Sequence, residues 1–378
     1  MNYFDHAASS PIYPEVLEEL ARALRDDYAN PSAQHLLGHN LNEKIEEYRQ
    51  DFLKSLKASR NDSFIFTSSA TESNNTVIQG LDFTQNDIIL YCKADHPSVT
   101  GPIESLAERF KISIKEIRLT ASGEIDHELF LSQINEQVKL VVLTHVNNQN
   151  GVINDIEALA KLVKEKSNAH VHVDATQSFG KIDIKLQPSI DSMSFTSHKI
   201  GGPKGVAGLF LKNGQKLRPL LIGGGQENGQ RSSTSAYPLI AGFYQAMKIS
   251  IAHQKSSLEK ADLFSALIKS KLSTAIPEIN FPFTSTSPFI TSFILPGISS
   301  DIIVRHLEMK NIFISSTSAC SSKVSGFNPT LFAMNIPERF HKNFLRISIG
   351  PITTESEVEN LLRDFLVIWN ELKHMIKR

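Results

Sequence analysis

The segment from residue 171 to residue 205 constrains this chain most strongly, because two short buried runs in it each end near a charged side chain. The run 171–173 leads into Asp174, and the run 194–196 leads to Lys199, just before a turn that begins at Gly201. Apolar runs of this length, bounded by turn residues, predict buried strands. Parallel strands present their carboxyl ends at one edge of a sheet, where ligands collect. We therefore expect Asp174 and Lys199 to lie near each other.

Further strands and helices are predicted along the rest of the chain. Further buried strands are predicted at 64–67, 88–92, 137–144 and 207–211. A helix at 155–166 connects two of these strands, which is typical of an α/β fold with a mostly parallel central sheet flanked by helices. From residue 279 the chain changes to short strands and helices, which predicts a smaller α+β domain. We predict a large domain at 15–255 and a small domain made of 1–14 and 256–378.

Two terminal helices are predicted from the spacing of their apolar residues. Residues 15–27 form an amphipathic pattern with four apolar side chains on one side, Val16, Leu17, Leu20 and Leu24. Residues 355–376 form a second such pattern, with one apolar face made of Leu361, Leu362, Phe365 and Ile368.

The composition argues against several classes of partner and location. The chain has 378 residues with 39 Lys+Arg against 40 Asp+Glu, a net charge of −1, which does not favour nucleic acid or an anionic membrane as a partner. No run of eighteen apolar residues exists, and the first residues lack the basic and apolar regions of a signal peptide. We therefore expect a cytoplasmic protein whose partners are small molecules and other proteins.

The chain has two cysteines, too few for a disulfide framework or a four-thiolate metal site, so no intrinsic metal is predicted. Cys92 ends a predicted strand and is interpreted as a small buried apolar residue. Cys320 lies in a polar stretch, 315–323, that has no large apolar residue to bury it. With Lys323 nearby to favour the thiolate, Cys320 is a candidate reactive thiol. An incidental surface cysteine is the alternative.

The polar segment 68–75 follows the predicted strand 64–67 and precedes a helix. The free backbone amides at such a turn, together with the helix dipole, can bind an anion, and Thr71 adds a hydroxyl group. A plain helix cap explains the same residues equally well. If the backbone at residue 69 required a positive φ, serine would destabilise the fold by about 1 kcal/mol relative to glycine.

An acid and a lysine at neighbouring strand ends indicate pyridoxal phosphate. This cofactor needs a lysine amine for covalent attachment and a carboxylate that keeps its pyridine nitrogen protonated. Thr196 and His198 supply donors suited to its phosphate group. Taken one at a time, Asp174 is equally well explained as a helix cap and Lys199 as a solvated loop residue.

On these residues the chain resembles a cysteine desulfurase of the NifS/IscS type, within the class V aminotransferase group of fold-type I pyridoxal phosphate enzymes. The similarity extends from Phe4-Asp5-His6-Ala7-Ala8 to Leu345-Arg346-Ile347-Ser348-Ile349-Gly350. It also includes the cysteine segment 315–320 and the segment 145–149, where Gln149 replaces the usual acid. Serine or threonine replaces a usual glycine at Ser69, Ser197, Ser233 and Thr317.

The resemblance implies roles for individual residues. The large domain would bind the cofactor, and the small domain would carry the catalytic cysteine loop. His96 would stack on the cofactor ring and relay protons, and Asn148 would approach the cofactor or the substrate carboxylate. Arg346 would bind that carboxylate, and Thr234 would reach the phosphate of a neighbouring subunit, which implies a homodimer. The implied cofactor-binding residues are Ala70, Thr71, His96, Asn148, Asp174, Gln177, Thr196, His198, Lys199 and Thr234.

The resemblance also implies a reaction. Lys199, His96 and Cys320 would convert L-cysteine to L-alanine and leave a persulfide on Cys320. A mobile cysteine loop would pass this sulfur to an acceptor protein, such as an iron–sulfur scaffold, or into another thio-cofactor or tRNA. Cys320 would be at most a transient iron–sulfur ligand. The alternatives are a selenocysteine lyase, a class V aminotransferase that needs no protein thiol, and a non-catalytic interaction module of the same fold.

Overall fold

The computed structural model describes residues 1–184, 186–316 and 327–375. Its helices are α1 (Pro14–Asp26), α2 (Leu36–Ser55), α3 (Ala70–Gly80), α4 (Pro97–Phe110), α5 (His127–Gln133), α6 (Ile156–Lys166), α7 (Tyr237–Ala252), α8 (Gln254–Ala275), α9 (Ser300–Glu308), α10 (Pro329–Ala333) and α11 (Glu355–Leu372). Its strands are β1 (Asn2–Tyr3), β2 (Ser63–Thr67), β3 (Ile88–Tyr91), β4 (Ser113–Glu116), β5 (Val138–Thr144), β6 (His170–Asp174), β7 (Ser192–Thr196), β8 (Ala207–Leu211), β9 (Ile290–Ile294), β10 (Ile312–Phe313), β11 (Ser315–Ser316) and β12 (Phe344–Ser348).

Seven strands form the central sheet in the order β2-β8-β7-β6-β5-β3-β4. Strand β8 runs antiparallel to both of its neighbours, and the pairs from β7 to β4 are parallel. Every residue of β3, β6, β7 and β8 is buried, as expected for strands covered on both faces. The predicted α/β class with a mostly parallel sheet is confirmed.

The register of the sheet aligns the ends of three neighbouring strands. Thr144 of β5 pairs with Asp174 of β6, and Asp174 pairs with Ser194 of β7. The segments that follow these strands therefore leave the sheet at the same edge. This alignment brings residues that are distant in sequence to one site.

A second group of elements surrounds a smaller antiparallel sheet of order β11-β12-β9. Its apolar cluster includes residues of α8, α9 and α11, and it also contains Phe4 from the start of the chain. Strand β1 joins this group by pairing in parallel with β10. Phe4 thus packs with the small-sheet group, whereas Tyr13 belongs to the apolar core around the central sheet. The predicted domain boundaries stay predictions.

Helix α1 buries a narrower face than its apolar residues predict. Val16 and Ala23 are fully buried, whereas Leu17 and Leu24 are 53% and 62% exposed. The helix packs along α7, and Leu17 and Leu24 lie outside the buried part of its surface. The predicted apolar side is therefore split between the core and the surface.

Helix α11 begins at a capping box in which Thr354 and Glu357 each bond the other's backbone amide. The four apolar residues predicted for its inner face are all buried. The α-helix ends at Leu372, earlier than predicted, and a short 3-10 turn follows at Lys373–Met375.

We expect Gly208→Ala to destabilise the sheet by about 1–3 kcal/mol, because an added methyl group overpacks a filled core. A Cβ at this position would lie 2.7 Å from Cε1 of Phe64. That ring cannot retreat easily, since it stacks on Phe52 at 4.4 Å between centroids. Gly101→Ala is the control for an added methyl group, because its Cβ would meet nothing within 4 Å apart from its own chain neighbours. Urea denaturation of both variants measures the difference, and equal stabilities would contradict the packing argument.

Candidate active site

A cavity of about 260 Å³ opens at the carboxyl edge of the central sheet. Its lining contains segments that follow β2, β3, β5, β6 and β7, as expected for a ligand site in an α/β fold. Most of the predicted site residues line it, namely Ala70, Thr71, His96, Asn148, Asp174, Gln177, Thr196, His198, Lys199 and Arg346.

Lys199 lies in the cavity on the 3-10 turn that follows β7. Its amine donates hydrogen bonds to the backbone carbonyls of Ala7 and Ala8, from the segment after β1. The first residues of the chain thus form one wall of the site, which is why Ala7 and Ala8 line the cavity. The amine is presented on a rigid sheet edge, where it can reach a bound molecule.

Asp174 is the last residue of β6 and is 6% exposed. Its Oδ1 accepts a hydrogen bond from the backbone N–H of Thr176 at 2.9 Å. Its Oδ2 accepts one from Nδ2 of Asn74 at 3.2 Å. Two directed donors hold the carboxylate in a single orientation at the wall of the cavity.

The first turn of α3 lines another part of the cavity with Ala70 and Thr71. Ser69 caps this helix by accepting a hydrogen bond from the backbone N–H of Glu72 at 3.1 Å. The backbone of Ser69 has φ −164°, an extended conformation open to any residue, so serine in place of glycine carries no backbone strain here. The backbone amides of this turn and the helix dipole suit an anion.

His198 lines the same cavity, where its Nδ1 lies 3.2 Å from the hydroxyl oxygen of Ser9. Burial and then the positive charge of Lys199 lower its pKa to about 4, so the ring is neutral at pH 7. It can therefore donate one hydrogen bond without bringing a charge of its own.

His96 is the N-cap of α4. Its Nδ1 accepts a hydrogen bond from the backbone N–H of Ser98 at 3.1 Å and lies 2.9 Å from the Ser98 hydroxyl. Burial lowers its pKa, although the Asp174 carboxylate opposes the shift. A neutral ring with a bare Nδ1 carries its hydrogen on Nε2. This fixed tautomer can pass a proton at Nε2.

Arg346 lies in the middle of β12 and is 2% exposed. Its Nη1 donates to the backbone carbonyl of Asn148 at 2.7 Å, and its Nη2 donates to Oδ1 of Asp5 at 2.7 Å. These two bonds orient the planar guanidinium in the cavity wall. A ligand carboxylate at this point would share the guanidinium with Asp5.

One predicted site residue, Thr234, does not lie with the others. Thr234 is exposed on the loop between β8 and α7 and does not line the cavity of its own chain. The base of this loop is held in place, because Glu227 bonds Arg49 at 2.7 Å and Arg231 bonds Glu72 at 2.8 Å. Cys320 lies outside the described residues.

The cavity fits pyridoxal phosphate by the chemistry of its donors. An oriented carboxylate suits the protonated ring nitrogen, the first turn of α3 with Thr71 and His198 suits the phosphate, and Lys199 supplies the amine. The described residues of the cavity thus provide partners for the ring nitrogen, the phosphate group and the aldehyde carbon of the cofactor.

The sequence did not reveal three residues that orient this site. Asn74 bonds Asp174, Ser98 bonds His96, and Asp5 bonds Arg346. Asp5 lies far from Arg346 along the chain, and Asn74 and Ser98 sit on two different helices. Polar side chains in the first turns of α3 and α4 were the available signal, although capping explains that signal equally well.

The chain matches the family model for class V aminotransferases over residues 2–361. It is 30% identical to the cysteine desulfurase IscS of Dictyoglomus turgidum, covering 95% of this chain and 92% of that protein. It is 33% identical to a NifS/IcsS protein homolog of Lactobacillus delbrueckii subsp. bulgaricus, covering 97% of this chain and 96% of that protein.

Solved structures agree with the sequence comparison. A NifS-like protein superposes with a TM-score of 0.90 at 29% identity, covering 98% of this chain and 99% of that one. A structure described as SspA in complex with cysteine gives a TM-score of 0.80 at 29% identity, covering 94% of this chain and 100% of that one. The chain therefore belongs to the class V aminotransferase family, whose members depend on pyridoxal phosphate.

Proposed function

We propose that this protein is a cysteine desulfurase that converts L-cysteine to L-alanine and retains the sulfur as a persulfide on Cys320. The carrying observation is the convergence of Lys199, Asp174 and Arg346 on one cavity. The names of the relatives, cysteine desulfurase IscS and NifS/IcsS homolog, support the same reaction. An aminotransferase or a lyase of the same fold would also use this cavity. A protein thiol that attacks the substrate sulfur distinguishes the desulfurase, because transamination needs no such nucleophile.

The buried cysteine supports Cys320 as that nucleophile. Cys92 is 5% exposed, and burial followed by the nearby Asp95 raises the pKa of its thiol well above the usual value. It is therefore a buried thiol that does not line the active-site cavity, and Cys320 is the other cysteine of the chain. Ser316 pairs with Leu345, directly beside Arg346, and four residues allow a reach of at most about 14 Å to Cys320.

Pyridoxal phosphate, when bound, supplies an electron-accepting ring that makes the substrate Cα acidic. Arg346 would bind the substrate carboxylate, with Asn148 beside it, and so place the Cα hydrogen toward the Lys199 amine. Lys199 would then remove and return protons at carbon, and Asp174 would keep a proton on the ring nitrogen. His96, with its hydrogen on Nε2, would exchange protons with the groups that leave and arrive.

The sulfur step balances without an added oxidant. The Cys320 thiolate would attack the substrate sulfur, and a sulfur–sulfur bond would form as the carbon–sulfur bond breaks. The electron pair stays with carbon, which takes up a proton to give alanine. Cysteine and one protein thiol thus become alanine and one persulfide.

The experiment is an assay of alanine release from L-cysteine with the cofactor-loaded protein, combined with mass spectrometry of the protein. We expect equal amounts of alanine and of sulfur carried by the protein during the first turnover. Formation of mercaptopyruvate, with alanine released only when pyruvate is added as the amino acceptor, would instead indicate transamination. A cytoplasmic acceptor protein, such as an iron–sulfur scaffold, is proposed to receive the sulfur. In the described part of the chain, no helix has the length and apolar character needed to span a bilayer.

We propose a homodimer in which Thr234 completes the phosphate site of the neighbouring subunit. Its loop is anchored to its own chain through Glu227 and Arg231, yet Thr234 stays exposed and outside its own cavity. Helix α1 and the first turn of α2 also leave several large side chains exposed, as an interface would: Leu17, Leu24, Leu36 and Leu37.

Thr234→Ala is expected to weaken cofactor binding about tenfold or more, because a hydrogen bond to a charged phosphate is lost. Equilibrium dialysis of the cofactor measures the change, and sedimentation velocity checks that the dimer persists. Mixing Thr234→Ala with Lys199→Ala subunits is the sharper test. If Thr234 acts on the neighbour, each mixed dimer contains one complete site and gains activity when the cofactor is limiting. No gain on mixing, with subunit exchange confirmed, would mean that Thr234 does not act across the interface.

A further inference from the structure

A row of buried polar side chains continues from Asp174 into the sheet, outside the cavity lining. Asn74, His172 and Ser192 are all fully buried, and each is bonded to the next. Buried polar groups cost free energy unless their hydrogen-bond directions agree, so each hydrogen position in the row can be assigned.

Asn74 lies at the start of the row, and its contacts determine how its amide is turned. Its Nδ2 donates to Oδ2 of Asp174 at 3.2 Å and to the Ser98 hydroxyl at 2.9 Å. The Ser98 hydroxyl is then left to donate to Nδ1 of His96. The same amide therefore supports both the carboxylate and the neutral histidine of the cavity.

This orientation turns Oδ1 of Asn74 toward Nε2 of His172, 2.9 Å away. A carbonyl oxygen only accepts, so Nε2 of His172 must carry the hydrogen. Nδ1 of the same ring is then bare, and it accepts from the Ser192 hydroxyl at 2.8 Å. Burial, and then the neighbouring His170, lower the pKa of His172 to about 3, which keeps the ring neutral.

The far end of the row has one hydrogen fewer than its contacts require. Ser192 accepts from Nε2 of His170 at 2.7 Å, which leaves Nδ1 of that neutral ring bare. Gln215, which donates to Asp191 at 3.1 Å, turns its own oxygen to that bare nitrogen. Gln215 is partly exposed, so water can satisfy the mismatch there. The hydrogen directions next to Asp174 are unaffected.

We propose that His172 is a positioning residue for the reaction, because its Nε2–H locks the Asn74 amide with the NH₂ group facing Asp174. Without that donor, the amide can turn and place its oxygen against the carboxylate. Asp174 would then lose one of its two donors, and Ser98 would lose its partner at Nδ2. This inference rests on the proposed role of Asp174 as the partner of the cofactor ring nitrogen.

Two substitutions separate the donor from the bulk of the ring. Glutamine can place an N–H near the position of Nε2, whereas methionine fills similar space without a donor. We expect His172→Gln to bind pyridoxal phosphate nearly as tightly as the wild type, and His172→Met to bind it about tenfold more weakly, or worse. His145→Met, at another buried histidine whose Nδ1 has no partner among the described residues, is the control and should bind normally. Equal losses in both His172 variants would show that the ring acts only by packing and would overturn the proposal.

The tautomer can be measured without any activity. In cofactor-free protein labelled with ¹⁵N-histidine, we expect one signal, missing in His172→Gln, from a neutral ring with hydrogen on Nε2 and a bare Nδ1. Hydrogen on Nδ1 instead, or on both nitrogens, would overturn the proposal even if a variant failed to fold. Because no substrate is present, this result stands apart from the desulfurase assay, which can fail while the tautomer holds.

Discussion

Lys199→Ala is expected to abolish turnover of L-cysteine and to remove the visible absorbance band of the lysine-linked cofactor. The lysine lies on a turn at the sheet edge, where its amine contacts backbone carbonyls rather than apolar side chains. Its loss should therefore leave the fold intact while removing both the covalent link and the base at the substrate carbon. We expect activity to fall below detection, while the cofactor-free variant and the cofactor-free wild type unfold at similar midpoints.

Lys204→Ala is the matched control for this prediction. Lys204 lies five residues further along the chain, is exposed and does not line the cavity. Absorbance spectra and alanine release should match those of the wild type. If Lys199→Ala kept turning over cysteine, the assignment of the cofactor to this cavity would fail.

Cys320→Ser is expected to stop sulfur transfer while leaving cofactor binding unchanged. The hydroxyl of serine has a far higher pKa than a thiol and cannot form a persulfide, so the substrate sulfur has no acceptor. The variant should still bind cysteine and alter the cofactor spectrum, because Lys199, Asp174 and Arg346 remain. We expect loss of nearly all alanine release and no added sulfur on the protein.

Cys92→Ser is the control for Cys320→Ser. Cys92 is buried at the end of β3, so serine there should cost about 1 kcal/mol of stability and little activity. Mass spectrometry after a pulse of cysteine should find one extra sulfur on the peptide that contains Cys320. Sulfur found on Cys92, or normal turnover by Cys320→Ser, would favour the aminotransferase alternative.

The predicted elements and the observed ones agree where local pattern decides the structure. The run before Asp174 forms a buried strand because its residues prefer an extended backbone. Its side chains are either apolar or hydrogen-bonded, so both faces can be buried. Serine at position 69 is strained only at a positive φ, and in the structure Ser69 has an extended φ and caps α3 with a hydrogen bond. The desulfurase family was likewise recognisable from the motifs at the strand ends, and the comparisons confirm it.

Helix α1 shows where local pattern is insufficient. Its apolar spacing predicts one inner side, yet Leu17 and Leu24 are exposed while Ala23 is buried. Which part of an amphipathic helix is covered depends on the neighbour that packs against it, here α7. Spacing alone carries no information about that neighbour.

Most strands of the central sheet, the residues at their ends and the chemistry that those residues can perform could be predicted from the sequence. These properties follow from short-range patterns of apolar and turn-forming residues. The contacts by which Asp5 orients Arg346, and by which Asn74 and His172 orient Asp174, depend instead on tertiary packing. Such pairs join residues that lie up to 341 positions apart, so their contact depends on how the sheet and the helices pack together. The direction of each hydrogen bond then follows from the neighbours of each buried group.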